Sequence, residues 1–131
     1  MKKWSVTLPS PPPSWNNSYR IVKATRTRSN GSKYTYSTMA KTQKLIDWQQ
    51  DMLLVIRAAK PSRWKPQGWV RIYWRVFLNR HIDMDNLQKA VNDVIESATG
   101  VDDKWYLPIF QEDPHIGVPK REARIELVIE G

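Results

Sequence analysis

Four aspartates and a lysine stand close together in the second half of the chain: Asp83, Asp85, Lys89, Asp102 and Asp103. Carboxylates that converge in space repel one another and are tolerated when a cation sits between them. Oxygen donors with open coordination positions suit Mg²⁺, with Mn²⁺ as a substitute. If residues 82–85 are extended, Asp83 and Asp85 point the same way, because strand side chains repeat every two residues. Lys89 lies one helical turn beyond Asp85 and can stand beside the same site. Each acid also has an ordinary explanation. Asp85 fits a helix N-cap, and Asp102-Asp103 fits a turn after Gly100. The spacing leaves open whether the chain returns the second pair to Asp83. Asp93 and Glu96 avoid the apolar stripe between the two groups and read as solvated-face residues.

Other chemistries fail on the residues present. An EF-hand loop starting at Asp83 would place Leu87 at its fifth position and Gln88 where glycine is needed. No glycine-rich run precedes a lysine, so there is no Walker phosphate loop. His81 and His115 are too far apart to suggest zinc. His115 reads as a loop residue, whereas His81 is near enough to Asp83 to meet a phosphate. The chain has no cysteine. That excludes a disulfide scaffold, a thiolate metal site and a thiol nucleophile.

Charge is divided unevenly along the 131 residues. Residues 1–80 hold 16 Lys and Arg against Asp47 and Asp51, a balance of +14, while residues 81–131 carry −6. A polyanion relieves such an excess, and nucleic acid is the usual one. Candidate contacts are Arg20, Lys23, Arg26, Arg28 and Lys33, interleaved with Tyr19, Tyr34 and Tyr36, together with Arg80 just upstream of the acids. The longest apolar run is residues 52–56, far short of the roughly 18 residues of a membrane span. The first residues alternate instead of forming an apolar block, so no secretory signal is expected. The compartment expected is the cytoplasm.

The elements that must position these residues follow from periodicity. Residues 3–9 alternate as a strand. Pro9 and Pro11–Pro13 then force an extended loop that runs on through residues 14–19. Two short β runs, 19–25 and 33–37, flank Asn30-Gly31, a type I′ hairpin signal. This basic hairpin, about residues 19–37, has the composition of a segment that is mobile without a partner. Residues 38–59 carry a helical stripe from Leu45 to Ala59, capped by Ser37 or Thr38. Residues 69–78 alternate as a long strand, and residues 86–98 form the clearest helix, with Asp85 as N-cap and Gly100 as its stop. Residues 105–111 are weakly strand-like, and 124–130 alternate cleanly. The expectation is one α+β domain over residues 1–131, with a mixed sheet and two main helices.

The run Asp83-Met84-Asp85-Asn86-Leu87-Gln88-Lys89, followed by Asp102-Asp103, resembles the RusA family of Holliday-junction resolvases. The segment Pro12-Pro13-Ser14-Trp15-Asn16, followed by Tyr19, resembles the same family's proline segment. The chain departs from the family pattern at Lys104-Trp105, directly after the acid pair. The resemblance implies a small homodimeric α+β endonuclease, bacterial or phage-encoded, that needs Mg²⁺ and resolves four-way DNA junctions in recombination and repair. It implies Asp83, Asp85 and Asp103 as metal-binding catalytic acids, with Asp102 the less favoured of its pair. It also implies Lys89 as the functional lysine and adds Asn16 to the DNA contacts. Two rivals stand beside it. One is a non-catalytic nucleic-acid-binding module whose acids are caps and turns. The other is a metal-dependent phosphatase of small phosphoesters, for which the basic half would be unneeded.

Overall fold

The computed structural model describes residues 2–131, including every side chain among them except those of Trp15 and Asn16. Strand β1 (Lys3–Leu8) leads through the proline loop to a single helical turn, α1 (Trp15–Ser18). A hairpin follows, of β2 (Tyr19–Thr27) and β3 (Lys33–Lys41), and then helix α2 (Gln43–Ala59). Strand β4 (Val70–Leu78), helix α3 (Met84–Thr99) and strand β5 (Tyr106–Phe110) form a β-α-β unit. The short β6 (His115–Ile116) and the final β7 (Arg124–Glu130) complete the chain. The main sheet runs β1-β7-β4-β5, and β6 pairs with the end of β4. β7 is antiparallel to both β1 and β4, whereas β5 and β6 are parallel to β4, so the sheet is mixed. Two helices pack on one face of it, as an α+β domain requires.

The sheet is held by strict alternation. Val70, Ile72, Trp74, Val76 and Leu78 of β4 are buried, as are Trp4, Val6 and Leu8 of β1 and Ile125, Leu127 and Ile129 of β7. Leu45, Trp48, Met52 and Ile56 of α2 and Leu87, Val91, Val94 and Ile95 of α3 close this core. The opposite sheet face is wet and charged. Arg75 bonds Glu112 at 2.9 Å and Glu126 at 3.2 Å, Arg124 bonds Glu126 at 2.8 Å, and Lys3 meets Glu130 at 3.4 Å. Pro108 is accommodated because β5 is an edge strand, where a missing N–H costs no ladder bond.

Several boundaries differ from those the periodicity predicts. Residues 15–18 form a helical turn, in which the Ser18 hydroxyl donates to the carbonyls of Pro13 and Ser14 at 2.9 and 2.8 Å. The hairpin strands are longer than expected, nine residues each, and form a sheet of their own. Residues 38–41 pair with residues 19–22, so the ladder takes them from the helix. α2 therefore starts after Thr42, whose hydroxyl accepts the Leu45 N–H at 3.3 Å, instead of at Ser37 or Thr38. The turn is not type I′, because that turn needs positive φ at Asn30 and no described non-glycine residue has it. The Gly31 N–H bonds the Arg28 carbonyl, the Arg28 N–H bonds the Ser32 carbonyl, and Gly31 takes φ +88°. That is a three-residue loop closed by a glycine bulge.

Candidate active site

α3 is the axis of the site, and its two ends carry different acids. Asp83, not Asp85, is its N-cap. The Asp83 Oδ1 accepts the N–H groups of Asp85 (2.9 Å) and Asn86 (3.3 Å), and its carbonyl accepts the Leu87 N–H at 3.0 Å. The helix therefore begins earlier than expected, and extended-strand alternation does not align Asp83 with Asp85. Helical geometry keeps both exposed carboxylates on the first turn instead. The other acids follow the far end. Gly100 takes φ +75° as the C-cap, and Asp102 then opens a short 3-10 turn over Asp103–Trp105. The Asp102 Oδ1 accepts the Lys104 N–H at 3.0 Å, while Asp103 makes no side-chain hydrogen bond among the described residues.

The two pairs are thus held apart within one chain. α3 has 16 residues, which is about 24 Å at 1.5 Å per residue. The topology gives the same answer, since Asp83 follows the last residue of β4 whereas Asp102 and Asp103 precede the first residue of its parallel neighbour β5. Among the described residues, no group of three His, Asp or Glu side chains within the chain is placed to hold a metal ion. The donor chemistry itself fits a hard divalent cation, since each end offers exposed carboxylate oxygens.

The solvent-facing side of α3 joins the two ends. Asp85, Lys89, Asp93 and Glu96 follow one another at intervals of three or four residues and share a face. The Lys89 ammonium lies 5.2 Å from the centre of the Tyr19 ring. Asp93 and Glu96 do more than face solvent. Lys41 Nζ is 3.4 Å from the Asp93 carboxylate and donates to Gln49 Oε1 at 2.9 Å, and Gln49 in turn donates to the Ala90 carbonyl at 3.1 Å. The base of the hairpin is thereby tied to the middle of α3. Desolvation, and then the charges of Asp103, Asp102 and Asp93, push the Glu96 carboxyl above its usual range. Glu96 therefore belongs to the acidic far end. Burial first, and then Asp93, raises the Tyr19 phenol. Burial also raises the Tyr106 phenol, whose O–H donates to the Val101 carbonyl at 2.7 Å and pins the turn that carries the acid pair.

The basic candidates are exposed but not equivalent. Arg20 and Arg26 share one hairpin face with Tyr34 and Tyr36, and Lys23 and Lys33 occupy the other. Arg26 donates to the Tyr36 hydroxyl at 3.2 Å and stacks on its ring at 5.2 Å, while Arg28 lies 4.7 Å over Tyr34. The side chain of Asn16 lies outside the described residues. Arg80 lines a cavity of about 310 Å³, shared with Asn79, Ile82, the prolines of the N-terminal loop and Lys120. Lys120 carries no signal in the sequence, because only the tertiary fold brings it to Arg80. His81 is exposed. His115 lies in β6, stacked on Phe77, with its Nε2 3.3 Å from Glu112.

A family model described as endodeoxyribonuclease RusA matches residues 9–130, nearly the whole chain. A comparison with curated proteins gives no match.

Proposed function

The chain belongs to the RusA family of endodeoxyribonucleases, and from that premise we propose that it resolves four-way DNA junctions at sites assembled between two copies of itself. The family acts on branched DNA and depends on divalent metal. We propose further that Mg²⁺ is the working ion, that the chain acts as a homodimer, and that it serves bacterial or phage recombination and repair. The observation that carries it is the separation of Asp83 and Asp85 from Asp103 along the acidic face of α3. A two-fold axis crossing that face sets the two α3 helices antiparallel. Asp83 and Asp85 of one copy then approach Asp103 of the other, and the operation produces two such sites. A four-way junction has approximate two-fold symmetry, so two sites suit paired cuts.

Asp83, Asp85 and Asp103 would hold the ion. Of the second pair Asp103 is taken as the ligand, because its carboxylate makes no side-chain hydrogen bond among the described residues while Asp102 caps the turn. A bound divalent ion supplies polarisation of the scissile phosphoryl group and a water acidified for attack. Lys89, one turn from Asp85, offsets the negative charge that grows on the phosphoryl oxygens. Arg80 and Lys120 hold the backbone next to Asp83, and Arg20, Lys23, Arg26, Arg28, Lys33 and Tyr19 grip the arms of the junction.

The test is incubation with labelled four-way junction, linear duplex and single strand, with Mg²⁺ and with chelator. Symmetric cuts confined to the junction and abolished by chelator are expected. Binding without cleavage at any Mg²⁺ concentration contradicts the reading and leaves a non-catalytic binding module.

A further inference from the structure

Two tryptophans are left in water at the acidic end of α3. Trp69 is 55% exposed and Trp105 38% exposed. Each stands immediately before one of a pair of parallel strands, since Val70 pairs with Tyr106. Their ring centres are 5.3 Å apart and their planes meet at 69°, so they form an open aromatic corner. Trp105 closes the same 3-10 turn that begins with Asp103. Lys104 Nζ lies 5.8 Å over Trp105. On the other side, Trp69 walls a cavity of about 310 Å³ with Lys65, Pro66 and Gln67.

We propose that the Trp69–Trp105 corner is a stacking site for a nucleobase unpaired at the branch point of the junction, next to the phosphate cut with Asp103. This rests on the nuclease reading above and specifies how that site selects branched DNA. Flat heterocycles stack on exposed indole faces, and every base has such a face. The flanking Lys65 and Lys104 match the phosphates on either side of a splayed base. A second copy is a poorer occupant. At roughly 250 Å² per tryptophan side chain, the exposed fractions of the pair amount to about 230 Å². By itself that is far below the roughly 800 Å² per partner of a stable protein interface, so the corner alone would not hold a second copy. Paired duplex presents no free base face, so the corner acts on unpaired bases at junctions and leaves linear duplex alone.

The experiment compares Trp105→Leu and Trp69→Leu with wild type. Leucine keeps an apolar side chain at each position and removes the aromatic face. Affinity is measured with Ca²⁺ in place of Mg²⁺, on a junction carrying 2-aminopurine at the branch point and on linear duplex, with oligomeric state followed by sedimentation. The expected result is junction binding weakened roughly 5- to 100-fold, loss of the 2-aminopurine fluorescence change, and unchanged duplex binding. Trp105→Phe, which keeps a π face, recovers most of the junction affinity. Equal losses on junction and duplex overturn the proposal, as does a change in oligomeric state, which would make the corner an interface between copies. Wild-type affinity in the leucine variants overturns it too. If wild type itself fails to cut junctions in Mg²⁺, the nuclease reading falls first, and the 2-aminopurine signal still decides whether a base stacks here.

Discussion

Asp83 has two tasks, and they can be separated by one substitution. Its Oδ1 caps α3 while its other oxygen stays available to an ion. Asparagine caps a helix about as well as aspartate, so Asp83→Asn leaves stability within about 0.5 kcal/mol of wild type. It removes an anionic metal ligand and a charge that repels phosphate. Cleavage should vanish while junction affinity holds or rises, read by a thermal melt, a cleavage assay and a binding titration on the same preparation. A parallel loss of melting temperature and binding would make Asp83 a structural acid only. At this scale the sequence is informative about residue identity and less so about geometry. The pattern of acids and Lys89 stands out, but which acid caps α3 does not: Asp85 is the expected cap and Asp83 the observed one, because an Asp-x-Asp run offers two caps and spacing alone cannot choose between them. Glu96 reads as solvated in the sequence, since its neighbours Asp102 and Asp103 reach it only through the turn after Gly100.

That turn sets where α3 ends and where the second acid pair begins. Gly100 sits at φ +75°, and beyond its two chain neighbours no described atom lies within 4 Å of the position a Cβ would take. Gly100→Ala therefore costs backbone strain alone, about 1 kcal/mol, measured as a shift in a urea titration; an unchanged midpoint would mean the turn rearranges. The wet face of the sheet carries a different prediction. Glu112 takes hydrogen bonds from Arg75 and from His115, in that order of weight, and its carboxyl is held below its usual range. An acid with a depressed folded pKa contributes stability that is present above its unfolded value, about 4.3, and is lost as pH falls through its folded value. Glu112→Gln should flatten the acid limb of a stability-pH curve, and an identical limb would exclude this network as a contributor. Strands β1, β4 and β7 and helix α3 are legible in the sequence because their alternation or stripe is unbroken. The start of α2 is not, since residues 38–41 suit helix or strand and only their partners in β2 decide.

For the molecule as a whole, the hairpin and the acidic face of α3 are joined at Tyr19 and Lys41. Arg26 and Arg28 lie at the far end of that hairpin, each stacked on a tyrosine. Replacing both with alanine should weaken junction binding and lower the slope of log affinity against log salt by up to about two, one for each phosphate left without its arginine. An unchanged slope would remove the hairpin from the DNA interface. The charge imbalance makes a polyanionic partner legible in the sequence, but the separation of the acids is not. It follows from α3 running the full length of β4 before the chain turns into β5, a tertiary fact. The most direct test of a site shared between copies is complementation. Asp83→Asn and Asp103→Asn proteins are each made alone and also co-expressed. If the acids come from different copies, mixed dimers hold one intact site, and roughly a quarter of wild-type sites return when the chains pair at random, seen as nicking of one junction strand. If each chain cuts with its own three acids, the co-expressed sample stays as inactive as either variant alone, and the shared-site account is wrong.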